Sequence, residues 1–331
     1  MYNLEEIKNK IICGDSLTEL KKLPDESIDC CITSPPYFNL RNYNVDGQIG
    51  LEKTWQEYIK KLIDIFGEMK RILKKEGTCF VNLGDSYNGS CKGGKNPNRV
   101  HIQFGKAEEK ERLGIPTKDK SLAQKSLMLI PHRFAIAMIE KDWILRNTLV
   151  WIKPNVMPES VQDRWKKAHE YIFFFTKNKK YYFNLDAIRT AHKEVSIKRA
   201  KYEQGRNALG LNSSSIGKKY LENKRYFGIP VRMVKLNPLG ACPPDYFLVN
   251  TNCSENNGSK EHYATYPQEL ISKPILAGCP EKGIIIDPFF GSGTTGLVAK
   301  KLGRNYLGIE LNPTYVKMAE ERIRIQTPPL L

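Results

Sequence analysis

The 331-residue sequence lacks any apolar run near the roughly 18 residues a membrane span requires; the apolar stretch Tyr171–Phe175 is far too short. Its amino terminus, MYNLEEIKNKII, lacks the charged-then-apolar pattern of a secretion signal. It has no C-x-x-C pair, and its eight cysteines (Cys13, Cys30, Cys31, Cys79, Cys91, Cys242, Cys253, Cys279) are scattered with no histidine at metal-ligand spacing. These absences predict a cytoplasmic protein without membrane attachment, disulfides or zinc, whose cysteines serve mostly as small buried apolar residues. Internal repeats are missing as well. Negative charge is scarce: 36 Asp+Glu stand against 52 Lys+Arg, a formal net charge of +16. That excess suggests a polyanionic partner. With 40% apolar and 27% charged residues, disorder, collagen and a disulfide scaffold are excluded.

Short apolar runs alternate with amphipathic stretches. Ile28–Thr33 (IDCCIT) reads as a buried parallel strand. Trp55–Leu73 carries apolar residues at 55, 59, 62, 63, 66, 69, 72 and 73, the stripe of a helix, with Lys74 and Lys75 at its end and Gly77 as its cap. Thr78–Leu83 reads as a strand, Leu127–Glu140 as a helix, and Leu145–Lys153 and Glu170–Thr176 as strands. Near the carboxyl terminus come a strand at Gly283–Asp287, a helix at Thr294–Leu302, a strand at Tyr306–Glu310 and a helix at Pro313–Ile325. This alternation predicts an α/β fold built on a doubly wound sheet.

Two segments interrupt the pattern and divide the chain into 1–85, 86–126, 127–186, 187–262 and 263–331. Ser86–Ser126 reads as a basic mobile insertion, and Ala187–His262 as a small separate lobe. The first holds 9 Lys+Arg against 4 Asp+Glu and the second 13 against 6, so 12 of the 16 excess charges sit in these appendages.

Two motifs carry chemistry. Asp287-Pro-Phe-Phe-Gly-Ser-Gly-Thr-Thr-Gly296 follows an apolar strand and opens a helix, and Glu310 ends the next strand. Glycines permit a tight turn and close ligand approach, and the acid suits ribose hydroxyls, so this is a nucleoside site. The spacing of Gly291, Gly293 and Gly296 also fits G-x-G-x-x-G, so an NAD-dependent oxidoreductase competes. The second motif, Ser34-Pro35-Pro36-Tyr37, ends the IDCCIT strand, where open α/β sheets bind ligands. Its prolines make a rigid turn, in which the Ser34 hydroxyl and Pro35 carbonyl can accept from an amino group while Tyr37 offers a stacking face. A plain proline turn closing the strand is the alternative reading.

Taken together, the two motifs resemble those of the amino-methylating DNA methyltransferases, which transfer a methyl group from S-adenosylmethionine to an exocyclic base nitrogen. SPPY at 34–37 resembles their catalytic motif and DPFFGSGTT at 287–295 their cofactor motif. Having the catalytic motif first and the cofactor motif last is similar to the circularly permuted beta group. Cys13-Gly-Asp-Ser16, WIKPN at 151–155 and HYATYPQEL at 262–270 extend the likeness over nearly all the chain outside the two appendages.

The resemblance implies a Rossmann-like, circularly permuted sheet with a small target-recognition lobe. It implies that Asp287 and the turn Gly291, Gly293 and Thr294 hold the methionyl part of S-adenosylmethionine, whose carboxylate suits a helix N-terminus. Glu310 would take the ribose hydroxyls, with Phe289 or its apolar neighbours packing nearby. Pro267 and Leu270 would close over the methionine side. Asp15 would accept from the adenine amino group; its competing reading is a helix cap, with Ser16 as rival cap. Asp85 and Lys153 also match family positions, although a sheet-edge turn explains each nearly as well.

Ser34 and the Pro35 carbonyl would favour a pyramidal amine that attacks the methyl group directly. A target buried in duplex DNA must be flipped out, with Tyr37 as stacking partner. Carbon-5 methylation in the related enzymes uses a cysteine after a proline; this chain has Cys-Pro at 242–243 and 279–280 but no Pro-Cys. Serine at the first motif position is typical of cytosine-N4 enzymes, and aspartate of adenine-N6 enzymes. In the lobe, Arg189, Arg199, Arg206, Arg225 and Arg232 would contact guanines or phosphates, and Asn207 and Asn212 adenines. The partners so implied are double-stranded DNA and a cognate restriction endonuclease that acts independently, in a prokaryotic or phage setting.

Overall fold

The structure, a computed structural model, describes residues 2–43, 45–89, 119–156, 158–198, 200, 236–251 and 266–326. Its elements are α1 (Leu4–Ile7), β1 (Lys10–Cys13), α2 (Ser16–Leu20), β2 (Ile28–Thr33), α3 (Trp55–Ile72), β3 (Leu73–Leu83), α4 (Ile130–Glu140), β4 (Ile144–Ile152) and β5 (His169–Thr176). They continue with β6 (Tyr246–Leu248), α5 (Gln268–Gly278), β7 (Ile284–Asp287), α6 (Thr294–Lys301), β8 (Asn305–Glu310) and α7 (Pro313–Gln326). The described strands form one eight-stranded sheet in the order β1-β8-β7-β2-β3-β5-β4-β6. All neighbours are parallel except β5, which runs antiparallel to both β3 and β4.

The continuous apolar runs of the central strands are explained by a core on each face of this sheet. Because side chains alternate sides along a strand, Cys31, Val81, Phe173, Ile286 and Leu307 enter one cluster, whereas Cys30, Phe80, Phe174, Ile285 and Tyr306 enter the other. Helices α3 and α4 supply Leu62, Phe66, Met69 and Phe134 to the first cluster; α5, α6 and α7 supply Leu270, Leu297 and Ile323 to the second. Each fully buried side chain of this size contributes about 1.5–3 kcal/mol. The sheet is therefore doubly wound, as the alternation predicted, with helical layers on both sides.

Several boundaries differ from expectation. Helix α3 starts at Trp55 beneath the Thr54 cap, whose hydroxyl accepts from the Glu57 amide. It stops at Ile72, because Leu73 turns extended to pair with Ile28 of β2. Gly77 is then not a cap but part of β3, in a bulge that lets Lys74 reach Asp29 at 2.7 Å. Helix α4 begins at Ile130 rather than at residue 127, since Pro131 suits a first turn and Leu129 is left-handed (φ 55°).

The two ends of the predicted mobile insertion are docked rather than loose. The Asn88 amide donates to the carbonyls of Asp119 (2.9 Å) and Leu122 (2.7 Å), and Asp119 Oδ2 accepts from the Trp55 amide. Residues 90–118 lie outside the described residues. Two compact units are distinguished: Met1–Asn184 with Asp245–Leu331, and Leu185–Pro244. The expected lobe was to run to His262, but Tyr246–Leu248 pairs with Val150–Ile152 and so belongs to the sheet. Among the described residues no helix is long and apolar enough to cross a membrane.

Candidate active site

Both motifs lie at the carboxyl edge of the parallel strands, where β7 and β2 are neighbours although far apart in the chain. These two strands pair at Cys30↔Ile285 and Cys31↔Ile286. Beyond that point a side-chain bond joins them: Thr33 Oγ1 donates to Asp287 Oδ1 at 2.6 Å, both residues being buried. A crevice at such a switch point is where open α/β sheets take ligands.

Asp287 is the hub. Its Oδ1 also accepts from the Phe289 amide (3.0 Å), and its Oδ2 accepts from Thr295 (2.5 Å) and Tyr266 (3.1 Å). Burial pushes its carboxyl above the usual range, while these four donors pull it down. The turn that follows is left-handed at Gly291 (φ 51°) and at Gly293 (φ 80°), the N-cap of α6. A Cβ on Gly293 would stand 2.8 Å from Ala319 Cβ, whereas one on Gly291 would meet nothing within 4 Å. Gly291 thus borders open space at the mouth of the turn.

Glu310 closes that turn from the next strand, accepting from the amides of Gly291 (2.7 Å) and Asn312 (2.8 Å). Burial raises its carboxyl too, and the two amides oppose the rise. Beside it, Cys13 of β1 pairs with Glu310, and Asp15 caps α2 by accepting from the amide and hydroxyl of Thr18. The cap reading of Asp15 is thus realised, on an exposed carboxylate next to Glu310; Ser16, the rival cap, instead donates to the Pro288 carbonyl.

The donor set suits a ligand with an ammonium, a diol and a carboxylate. Three carboxylates (Asp15, Glu310 and Asp287) lie along one strand edge, the N-terminus of α6 faces the same turn, and Gly291 leaves room there.

On the β2 side, Pro35 is buried, and no described residue donates to its carbonyl. Tyr58 holds the turn by donating to the Pro36 carbonyl at 2.8 Å. Ser34 Oγ lies 3.4 Å from Asn82 Oδ1, and the Tyr37 hydroxyl lies 3.0 Å from that atom and 2.7 Å from Glu170 Oε2. The Asn82 amide nitrogen faces the Tyr171 carbonyl (3.1 Å) and Glu170 (3.3 Å). Both are acceptors, so Oδ1 must face Ser34 and Tyr37. Lys153 pairs with Glu170, and both are largely buried. Burial, and then Glu170, push the Tyr37 phenol well above its ordinary value. Gly84 makes room for this ring, since a Cβ there would lie 2.6 Å from Tyr37 Cε2.

Not every expected residue faces the cleft. The Thr294 hydroxyl accepts from Arg322 (2.9 Å), and it is Thr295 that reaches Asp287. Leu270 is fully buried in the second cluster, and its surface lines a small crevice with Thr33, Asn82 and Tyr266. Pro267 is the extended N-cap of α5, and Phe289 is half-buried against the first cluster. Arg189, in the smaller unit, is engaged by Asp186 (2.6 Å) and the Gly240 carbonyl. Arg199, Arg206, Arg225 and Arg232, with Asn207 and Asn212, lie outside the described residues. Reading the sequence missed Asn82, Glu170, Tyr266 and Thr295; the WIKPN segment was the signal that could have drawn in Lys153 and, through it, Glu170.

Comparison with known proteins gives concordant results. The family model described as DNA methylase (N6_N4_Mtase) matches residues 28–321. The type II methyltransferase M.Cfr9I of Citrobacter freundii is 36% identical over 311 residues, 94% of this chain and 86% of that protein. M.SmaI of Serratia marcescens is 35% identical over 314 residues, covering 95% and 90%. Among solved structures, the PvuII DNA methyltransferase (cytosine-N4-specific) superimposes with a TM-score of 0.59 at 19% identity, over 96% of this chain and 90% of that one. The DNA modification methylase TTHA0409 of Thermus thermophilus, complexed with S-adenosyl-L-methionine, gives 0.56 at 18% identity, over 97% and 96%. At these identities the two structures speak for the fold.

Proposed function

The chain belongs to the DNA methylase family whose model spans it from residue 28 to residue 321, and on that premise we propose that it methylates the exocyclic N4 of a cytosine flipped out of duplex DNA, as the modification enzyme of a type II restriction system. S-adenosylmethionine supplies the electrophilic methyl group when bound. The cleft suits it: Asp287 and the α6 N-terminus fit its ammonium and carboxylate, Glu310 its ribose diol and Asp15 its adenine amine.

The observation that carries the catalytic reading is the orientation of Ser34. Asn82 Oδ1 is held toward it, so the Ser34 proton points to Asn82 and the lone pairs of Oγ are left to the substrate. A hydroxyl is thereby made into an acceptor. With the unpaired Pro35 carbonyl it takes the two N–H bonds of an amine, drawing the nitrogen lone pair out of ring conjugation. Forming the N–C bond releases one of those protons, and no covalent enzyme intermediate is needed. Tyr37, fixed at its hydroxyl by Glu170, offers its ring to the flipped base.

Serine rather than aspartate at position 34 supports cytosine over adenine. The dense cations of 86–126 and 187–262, Arg189, Arg199, Arg206, Arg225 and Arg232 among them, support phosphate and base contacts by those segments. Incubation with labelled S-adenosylmethionine and plasmid DNA, followed by nucleoside analysis, tests the reading. N4-methylcytosine is expected; N6-methyladenine would overturn the base assignment, and unmodified DNA the activity itself. Mapping the modified positions in the same sample identifies the recognition site.

A further inference from the structure

Trp165 is 93% exposed, and no described ring or cation lies against it. Tryptophan ordinarily buries most of its large apolar surface, so an isolated exposed one calls for a partner. Mobility of its loop does not explain the exposure, because the loop is strapped on both sides of it. Arg164 stacks 4.0 Å over the Tyr87 ring and pairs with Glu159 at 2.9 Å; Asp163 pairs with Lys125. On the other side, Lys167 donates to the Asp85 carbonyl, and the Lys153 amide donates to Ala168 at 2.8 Å. The fixed loop thus presents Trp165 to solvent beside an exposed lysine, Lys166.

Its position supplies the partner. The loop joins the carboxyl end of β4 to the amino end of antiparallel β5, which puts it on the sheet edge that carries Ser34. Glu170, the second residue of β5, touches both Tyr37 and Asn82. An aromatic face next to cations, at the edge where a base must leave its stack, matches a nucleobase flanked by phosphates. Resting on the reading above, we propose that Trp165 stacks on a base of the substrate duplex next to the flipped target, with Lys166 contacting the neighbouring phosphate.

The test uses the full chain with Trp165→Ala, Trp165→Phe and Lys166→Ala. Methylation kinetics are measured on plasmid and on a duplex carrying the mapped site, alongside S-adenosylmethionine affinity and melting temperature. Stacking of one base predicts a rise in KM for DNA of about 5- to 150-fold for Trp165→Ala. Trp165→Phe should restore most of it, and cofactor affinity and melting should stay as in the wild type. A mismatch at the target pair, which lowers the cost of flipping, should shrink the deficit. Lys166→Ala should weaken binding in a salt-dependent way.

An active wild type with Trp165→Ala within about twofold of it in KM for DNA overturns the proposal. So does loss of cofactor affinity or melting temperature in Trp165→Ala, which marks a structural role, or a change of oligomeric state alone, which marks a protein contact. An inactive wild type overturns the functional reading first and this proposal with it.

Discussion

Replacing Thr33 by valine removes one hydroxyl from the point where the two halves of the site meet. The pairing of β2 with β7 is given by two residue pairs, Cys30↔Ile285 and Cys31↔Ile286, and the Thr33–Asp287 bond ties the strands beyond them. Valine is nearly isosteric, so no cavity arises; the loss is one 2.6 Å bond to a buried carboxylate. A hydrogen bond to a charged group is worth about 1.5–3 kcal/mol. With an unfolding entropy of about 2.1 cal/mol/K per residue over the whole chain, that loss lowers the melting temperature by about 2–4 °C. Thr33→Ser, which keeps the hydroxyl, should melt nearer to the wild type. Asp287, held by three donors instead of four, should have its carboxyl pushed still higher, so cofactor should stabilise the valine variant less than the wild type. Thermal denaturation by circular dichroism, with and without S-adenosylmethionine, reads both effects. Melting within about 1 °C of the wild type, with an unchanged response to cofactor, would refute the idea that this bond couples the two halves.

Three further outcomes are expected. Ser34→Ala should lower the methylation rate by about 100- to 1,000-fold, as for other oriented groups at a reacting centre, while calorimetry finds cofactor affinity unchanged; equal loss of both would place Ser34 in binding instead. Burial raises Glu310, so its ionised form, the one that accepts from ribose, is lost at a higher pH than for an ordinary glutamate. Cofactor affinity should therefore fall as pH is lowered from about 8 to about 5, with Glu310→Gln flattening the profile. The sign for the unliganded fold is opposite: a raised carboxyl favours the protonated native state, so that stability is present in acid and lost as pH rises through the folded value. Gly308→Ala would place a methyl 2.5–2.7 Å from three atoms of the Phe290 ring, and denaturant unfolding should show a loss of about 1–3 kcal/mol, partly regained with Phe290→Leu.

What could be read from the sequence was local. The strand–turn–helix around Asp287, Gly291 and Gly293 needs only an apolar run, left-handed turn residues and a helix start, all within a dozen positions. The Ser34–Tyr37 turn is legible for the same reason. Where two local readings competed, the sequence left them open: Asp15 is a helix cap in the structure and still borders Glu310. Gly77 shows how tertiary pairing overrides a local signal, since burial of Leu73 beside Ile28 unwinds the helix before its expected cap.

By itself, then, the sequence determined the fold class, the two motifs and their order, because periodicity and turn chemistry act between near neighbours. The tertiary structure decided which distant residues complete the site. Thr33 meets Asp287 across 254 positions, and Tyr37 meets Glu170 across 133. Asn82 turns Ser34 into an acceptor only because β3 lies between β2 and β5. Strand order sets such contacts, and strand order follows from how all the apolar faces pack together, which no single segment encodes.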